Sequence, residues 1–227
     1  MRQTPTAKPF ANRLAAGRAL ANRLKSFAHR EDVVVLALPR GGVPVGSEIA
    51  RALDVPLDVF VVRKLSVPHH PELAMGAIAG GGVRVLNEKV IEWYRIDRET
   101  IEDVVLNEQR KLDRRERAYR QGRPASAITG KVVIVVDDGL ATGSTLQAAI
   151  AAIRHQQPAR IVMAVPVGPR EACDGLAFAA DEVICLRTPD PFVAVGRWYQ
   201  NFPVTSDDEV REILSEHRIG SRSFATS

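Results

Sequence analysis

Asp137 and Asp138 stand side by side after five β-branched aliphatics, Val132–Val136, and ahead of Gly139-Leu140-Ala141-Thr142-Gly143-Ser144-Thr145. A run so short and so apolar suits a strand buried on both faces of a parallel sheet. Side chains in a regular strand alternate between faces, so both acids reach one ligand only if the strand stops at Asp137. Gly139 and Gly143 supply that stop. The turn suits a phosphate: Gly143 lets backbone approach an anion, and Thr142, Ser144 and Thr145 add hydroxyls beside the free N–H groups opening a helix expected over Ser144–His155. The acids would repel that phosphate. They must serve another part of the ligand, such as a vicinal diol or a hydrated divalent cation, and the combination points to a sugar phosphate.

Three further groups fall near expected strand ends. Arg40-Gly41-Gly42 follows Val33–Leu38; its glycines expose N–H groups and its guanidinium can chelate phosphate oxygens, although Arg-Gly-Gly also makes an ordinary turn. Arg63-Lys64 follows Leu57–Val62 and reads either as an anion contact or as two residues snorkelling from a strand exit. The segment Pro189–Phe202, PDPFVAVGRWYQNF, gathers Phe192, Trp198 and Tyr199 in a chain with only 5% aromatics. Aromatic faces stack on flat heterocycles, and they also plug sheet edges. His69 and His70 lie in a loop and carry no assigned role, and His29, His155 and His217 have no suitable sequence neighbours.

These groups need a scaffold of alternating strands and helices. Phe10, Leu14, Gly17, Ala21, Leu24 and Phe27 recur at helical spacing, which places an N-terminal helix within residues 10–30. After Val33–Leu38 comes a helix over Val43–Leu53, with Pro44 early in it. Ser66–Glu72 reads as a loop, and Gly76–Gly80 with Val83–Leu86 as a hairpin around the glycine run. Helices are expected over Asn87–Tyr94, Asp97–Arg120 and Pro169–Phe178, and strands over Arg160–Val167 and Glu182–Leu186. The order implies an α/β fold with a doubly wound, mostly parallel sheet, in which ligands bind beyond the carboxyl ends of the strands. The chain reads as one domain, 1–227, with a hood at 187–205 and a tail, 206–227, made of a short helix Asp207–His217 and a frayed polar end.

The 227 residues and 45% apolar content suffice for a real core. No apolar run approaches membrane-spanning length. Seven Lys/Arg and no acid precede Glu31, a superficial likeness to a transit peptide that the amphipathic helix explains better. Cys173 and Cys185 form neither a metal box nor a disulfide framework, so a reducing cytoplasm is the expected setting. The net charge of +4 fits anionic ligands but does not demand nucleic acid. Seven Lys/Arg against three acids between Glu108 and Arg123 read first as a solvated helix face.

The stretch Val132–Thr145 resembles the phosphoribosyl pyrophosphate (PRPP) motif of the type I phosphoribosyltransferases, in which an aliphatic strand runs into two acids and a hydroxyl-Gly-small-Thr loop. The segment FANRLAAGRALANRL looks like the opening helix of a bacterial group of such proteins. The resemblance implies that Asp137 and Asp138 bind the ribose hydroxyls, and that Gly139, Ala141, Thr142, Gly143, Ser144 and Thr145 wrap the 5′-phosphate. Arg40, Gly41 and Gly42 would hold pyrophosphate, with a non-proline cis peptide near Arg40-Gly41. Arg63 and Lys64 would touch pyrophosphate and open a mobile loop, residues 65–86. Phe192, Trp198 and Tyr199 would cover the acceptor. Mg²⁺ would be held by PRPP and water with no direct protein ligand, since Gln200 or Asn201 stands where purine salvage enzymes carry an acidic contact.

Two positions depart from the pattern. Gly139 replaces an aliphatic residue, and Ala141 replaces the aspartate of hypoxanthine-guanine enzymes, which disfavours those acceptors. The implied activity is transfer of ribose 5-phosphate from PRPP to a nitrogenous base, in a homodimer if the closing loop borrows contacts from a second subunit. The alternative is a PRPP-binding regulatory protein without catalysis.

Overall fold

The computed structural model describes residues 8–222. The first seven residues and the expected frayed end at 223–227 lie outside the described residues. Three β-branched runs form the middle of a five-stranded, all-parallel sheet: β1 (Val33–Ala37), β6 (Val132–Val136) and β7 (Arg160–Val167). β2 (Leu57–Val59) and β8 (Glu182–Arg187) flank them in the order β2-β1-β6-β7-β8. Every residue of β1 and β6 is buried. Alternation divides them between two cores: Val33, Val35, Ala37, Val132, Ile134 and Val136 on one face, Val34, Leu36, Val133 and Val135 on the other. Each such valine, leucine or isoleucine contributes about 1.5–3 kcal/mol on burial, which is why helices must cover both faces.

The first face is covered by α1 (Arg13–Arg23), α2 (Gly42–Leu53) and α7 (Asp207–Arg222), with the long α4 (Arg98–Arg120) packed on α7. The second is covered by α5 (Ser144–His155) and α6 (Arg170–Leu176). α6 and β8 carry the free thiols Cys173 and Cys185, and the Cys185 Sγ donates to the Arg187 carbonyl at 3.3 Å. The strand order reverses between β1 and β6, so the crevice beyond their carboxyl ends is the topological switch point where doubly wound sheets bind ligands.

Four local expectations need correction. The single strand expected over Leu57–Val62 stops at Val59: its partner β1 ends at Ala37, whose carbonyl accepts the Phe60 N–H as a last rung, and the outward N–H and C=O of Val59 are taken by the Asp58 carboxylate and the Arg120 guanidinium. The chain then enters a separate antiparallel sheet of β3 (Val62–Val67), β4 (His70–Ala79) and β5 (Val83–Leu86). The expected loop Ser66–Glu72 is therefore mostly strand, with its turn at Pro68 and His69, where His69 has φ 62°. Its prolines misled because Pro71 lies on a part of β4 that pairs only with β3.

The N-terminal helix begins at Arg13, since Phe10 instead bridges to Tyr199, and it ends at Arg23 before a short 3-10 turn, Lys25–Phe27. α7 runs past His217 to Arg222. A short α3 (Glu88–Tyr94), close to where it was expected, completes the elements.

Candidate functional site

β1 and β6 end together: Ala37 pairs with Val136, and the N–H of Leu38 donates to the Val136 carbonyl at 2.8 Å. The loops that follow touch. A Cβ on Gly41 would lie 2.0 Å from Asp138 Oδ2, and one on Gly42 would lie 2.6 Å from the Val136 carbonyl. Only hydrogen fits at either position, so the two glycines are the condition for the close approach of the loop after β1 to the two acids. The Pro39–Arg40 peptide is cis, one bond earlier than the resemblance implied. Arg40 is exposed and forms no ion pair among the described residues.

β6 stops at Val136, so Asp137 and Asp138 leave the strand alternation and share one crevice. Each has one oxygen committed. Asp137 Oδ1 accepts the N–H of Asp138 at 2.8 Å, and Asp138 Oδ2 accepts Arg13 Nε at 2.8 Å. Asp137 Oδ2 and Asp138 Oδ1 have no protein partner among the described residues, and neither is sealed from solvent. Burial pushes the Asp137 carboxyl well above the usual range, with the neighbouring Asp138 charge adding to it. Burial also raises Asp138, against the pull of the Arg13 guanidinium. Two acids held this way cost the fold stability and are suited to accept hydroxyl donors.

The anion cradle follows. Leu140 is its anchor: its N–H donates to the Val167 carbonyl at 2.8 Å and its side chain is buried. Ala141, Thr142, Ser144 and Thr145 are exposed around buried Gly143, whose φ of 82° turns the chain into α5. No side chain caps this helix, so the N–H groups of its first turn are open to an anion. The Thr142 and Ser144 hydroxyls lie 3.2 Å apart.

The basic pair is placed differently from expectation. Arg63 and Lys64 sit inside β3, not at a strand exit, and adjacent strand residues point to opposite faces. Arg63 Nε donates to Glu108 Oε2 of α4 at 2.6 Å, and Lys64 Nζ donates to the Pro71 carbonyl at 2.7 Å. The structure thus brings together Arg40, Gly41, Gly42 and residues 137–145, and leaves Arg63 and Lys64 engaged elsewhere. His70 lies 5.2 Å from the Tyr94 ring, at the hairpin tip.

The hood is tied down by backbone. The N–H of Phe10 donates to the Trp198 carbonyl and that of Gln200 to the Phe10 carbonyl, both at 2.8 Å. Tyr199 does not offer a stacking face: it is only 6% exposed, sits between Phe10 and Phe202, and donates its hydroxyl to the Asp138 carbonyl at 2.6 Å. Phe192 and Trp198 are half-buried against the same cluster. Gly139 has a packing reason, because a Cβ there would lie 2.4 Å from Val195 Cγ1.

Sequence reasoning passed over Arg13. Its Nη1 donates to the Pro203 carbonyl at 2.6 Å, and its guanidinium lies 3.8 Å over the Phe202 ring. The available signal was a cation on the buried stripe Arg13, Ala16, Gly17, Leu20 of α1. Glu108 was also passed over, as one charge among many on a long helix.

Comparison with known proteins gives the family and the fold. The chain matches the family described as "Phosphoribosyl transferase domain" over residues 10–193. It is 48% identical over 212 residues to "Putative phosphoribosyl transferase MT0597" and to "Putative phosphoribosyl transferase Rv0571c", from two Mycobacterium tuberculosis strains. The aligned region is 93% of this chain but 48% of each relative, so the chain spans about half the length of the curated relatives it matches. The crystal structure of TT1426 from Thermus thermophilus superposes with a TM-score of 0.84 at 40% identity, covering 92% of this chain and 98% of that one.

Proposed function

The chain belongs to the phosphoribosyl transferase domain family, and we propose on that premise that it transfers ribose 5-phosphate from PRPP to a nitrogenous base, with release of pyrophosphate. One observation carries the reading: at the β1/β6 crevice Asp137 and Asp138 each keep one oxygen free, between the Arg40 loop and the uncapped start of α5. Two hydrogen-bond acceptors for a diol, an anion cradle on one side and a cation on the other match the three parts of PRPP.

In this reading the N–H groups and hydroxyls of residues 141–145 hold the 5′-phosphate, and the free carboxylate oxygens accept the 2′ and 3′ hydroxyls. Arg40 and the N–H groups of Gly41 and Gly42 receive pyrophosphate as its bond to C1 breaks, and a base nitrogen then traps the oxocarbenium-like sugar. Carboxylate and hydroxyl oxygens dominate this end of the sheet, a donor set suited to a hydrated Mg²⁺ carried in on pyrophosphate. Bound so, the ion would neutralise charge developing on the leaving group. Among the described residues no cluster of three or more acidic, His or Cys side chains could hold the ion directly. Phe192 and Trp198 remain the hood residues for the acceptor, and Ala141 disfavours hypoxanthine and guanine.

A single experiment tests this: incubation with PRPP, Mg²⁺ and a panel of bases, following pyrophosphate release and PRPP affinity together. Pyrophosphate release with one base is the expected result. Asp138→Asn should weaken PRPP binding by about 1.5–3 kcal/mol through loss of a charged hydrogen bond. A second reading, a PRPP-binding regulator without turnover, is favoured by the engagement of Arg63 with Glu108 and of Lys64 with Pro71. Tight PRPP binding without turnover on any base would select it.

A further inference from the structure

The role of Arg13 is a separate matter from the cradle itself. We infer that Arg13 is a positioning residue of the sugar site: it removes one oxygen of Asp138 from use and thereby presents the other to a single sugar hydroxyl. The inference rests on the PRPP reading above and deepens it.

Three contacts fix the guanidinium in one place: Asp138 Oδ2 at 2.8 Å, the Pro203 carbonyl at 2.6 Å and the Phe202 ring at 3.8 Å. The side chain is 10% exposed, and its partner carboxylate 16%. A surface ion pair samples many geometries, whereas a fork with a carboxylate, a carbonyl and an aromatic face around it has one. Its backbone is fixed as well, because Arg13 opens α1 next to the Asn12 cap, whose side chain accepts the Ala15 N–H at 2.9 Å. On the other side of Oδ2 stands Gly41, with room only for hydrogen. Asp138 is held between α1 and the Arg40 loop, and its carboxylate plane is set before any ligand arrives.

Asp137 is held by a different device, the N–H of Asp138. The two acids therefore present one oxygen each, and α1 supplies half of that arrangement from 125 residues away in sequence. Preorganised acceptors lose no rotamer freedom when a diol docks, so the benefit appears in affinity for the sugar.

The rival account is that Arg13 only staples α1 and the Phe202-Pro203 segment to the end of the sheet. A double-mutant cycle separates the two. PRPP with Mg²⁺ would be titrated calorimetrically against the full chain, Arg13→Gln, Asp138→Ala and the double variant, with thermal melting as a check on folding. If Arg13 acts through Asp138, Arg13→Gln weakens PRPP about tenfold or more alone, and less than about twofold further once Asp138 is alanine.

Equal effects in both backgrounds overturn the inference and leave the donor reading standing. Should Arg13→Gln fail to fold, Arg13→Lys keeps the charge and loses the fork, and the same comparison decides: coupling to Asp138→Ala supports the role and additivity overturns it. Absence of PRPP binding to the unaltered, folded chain, or binding indifferent to Asp138→Ala, overturns the donor reading and this inference with it.

Discussion

The hydroxyl of Tyr199 donates to the backbone carbonyl of Asp138 at 2.6 Å, so a hood side chain is tied to the main chain of the acid loop. Burial and the nearby Asp138 carboxylate push the Tyr199 phenol well above its usual range, which keeps it a donor at every physiological pH. Tyr199→Phe retains the ring against Phe10 and Phe202 and removes only the hydrogen bond. Denaturant unfolding should show a loss of about 1–3 kcal/mol, the cost of leaving a part-buried carbonyl unpaired. A loss below about 0.5 kcal/mol would mean that water replaces the phenol at no penalty.

Gly139 gives a test of hood packing. Gly139→Ala places a methyl 2.4 Å from Val195 Cγ1 and should cost about 1–3 kcal/mol by overpacking. Adding Val195→Ala opens the space and should recover most of it. Failure of the second change to rescue the first, read from melting curves, would locate the strain elsewhere.

Replacing a half-buried acid should separate stability from binding. Asp137 holds its proton in the folded chain above its ordinary value of 3.8, where the unfolded chain has released it, so stability declines as pH rises from about 3.8 toward the raised value. Asp137→Asn keeps an acceptor for the Asp138 N–H and removes that decline. Its melting temperature should exceed the parent's at pH 7, by about 2–4 °C per kcal/mol relieved in a chain of this size, and the gap should close as pH falls toward 3.8. PRPP affinity should fall in the same variant. A gap that widens toward acid pH would contradict the raised carboxyl.

The ion pair between Arg63 and Glu108 predicts a gain on disruption. Glu108→Gln frees Arg63, which is 29% exposed, and if the basic pair serves pyrophosphate the affinity for PRPP should rise about two- to fivefold, the range of a partly exposed ion pair. Unchanged affinity would leave Arg63 with a structural role in holding α4 to β3.

The features most legible from residues alone were those carried by local physics. Val132–Val136 had to be a two-sided strand, Ser144–His155 had to follow Gly143, and both bounds hold to the residue. Arg40-Gly41-Gly42 fell beside the acids because both close β-branched strands of one parallel sheet. What escaped depended on partners far away in sequence. Leu57–Val62 looked like one strand because nothing local announces where its partner β1 ends, and Tyr199 looked like a stacking ring because its hydrogen bond is to a backbone atom 61 residues distant. Arg13 was visible as a charge on an apolar stripe, yet its counter-ion could be found only once α1 was laid across the sheet.

That last pairing also bears on how the chain matures. Arg13 and Asp138 are 125 residues apart, and the β3–β5 sheet and α4 lie between them. The crevice therefore exists only once segments distant in sequence have come together, at a loop-closure cost in entropy. A ligand that recognises the completed crevice binds only the finished molecule, and by mass action it would shift the balance away from half-assembled chains.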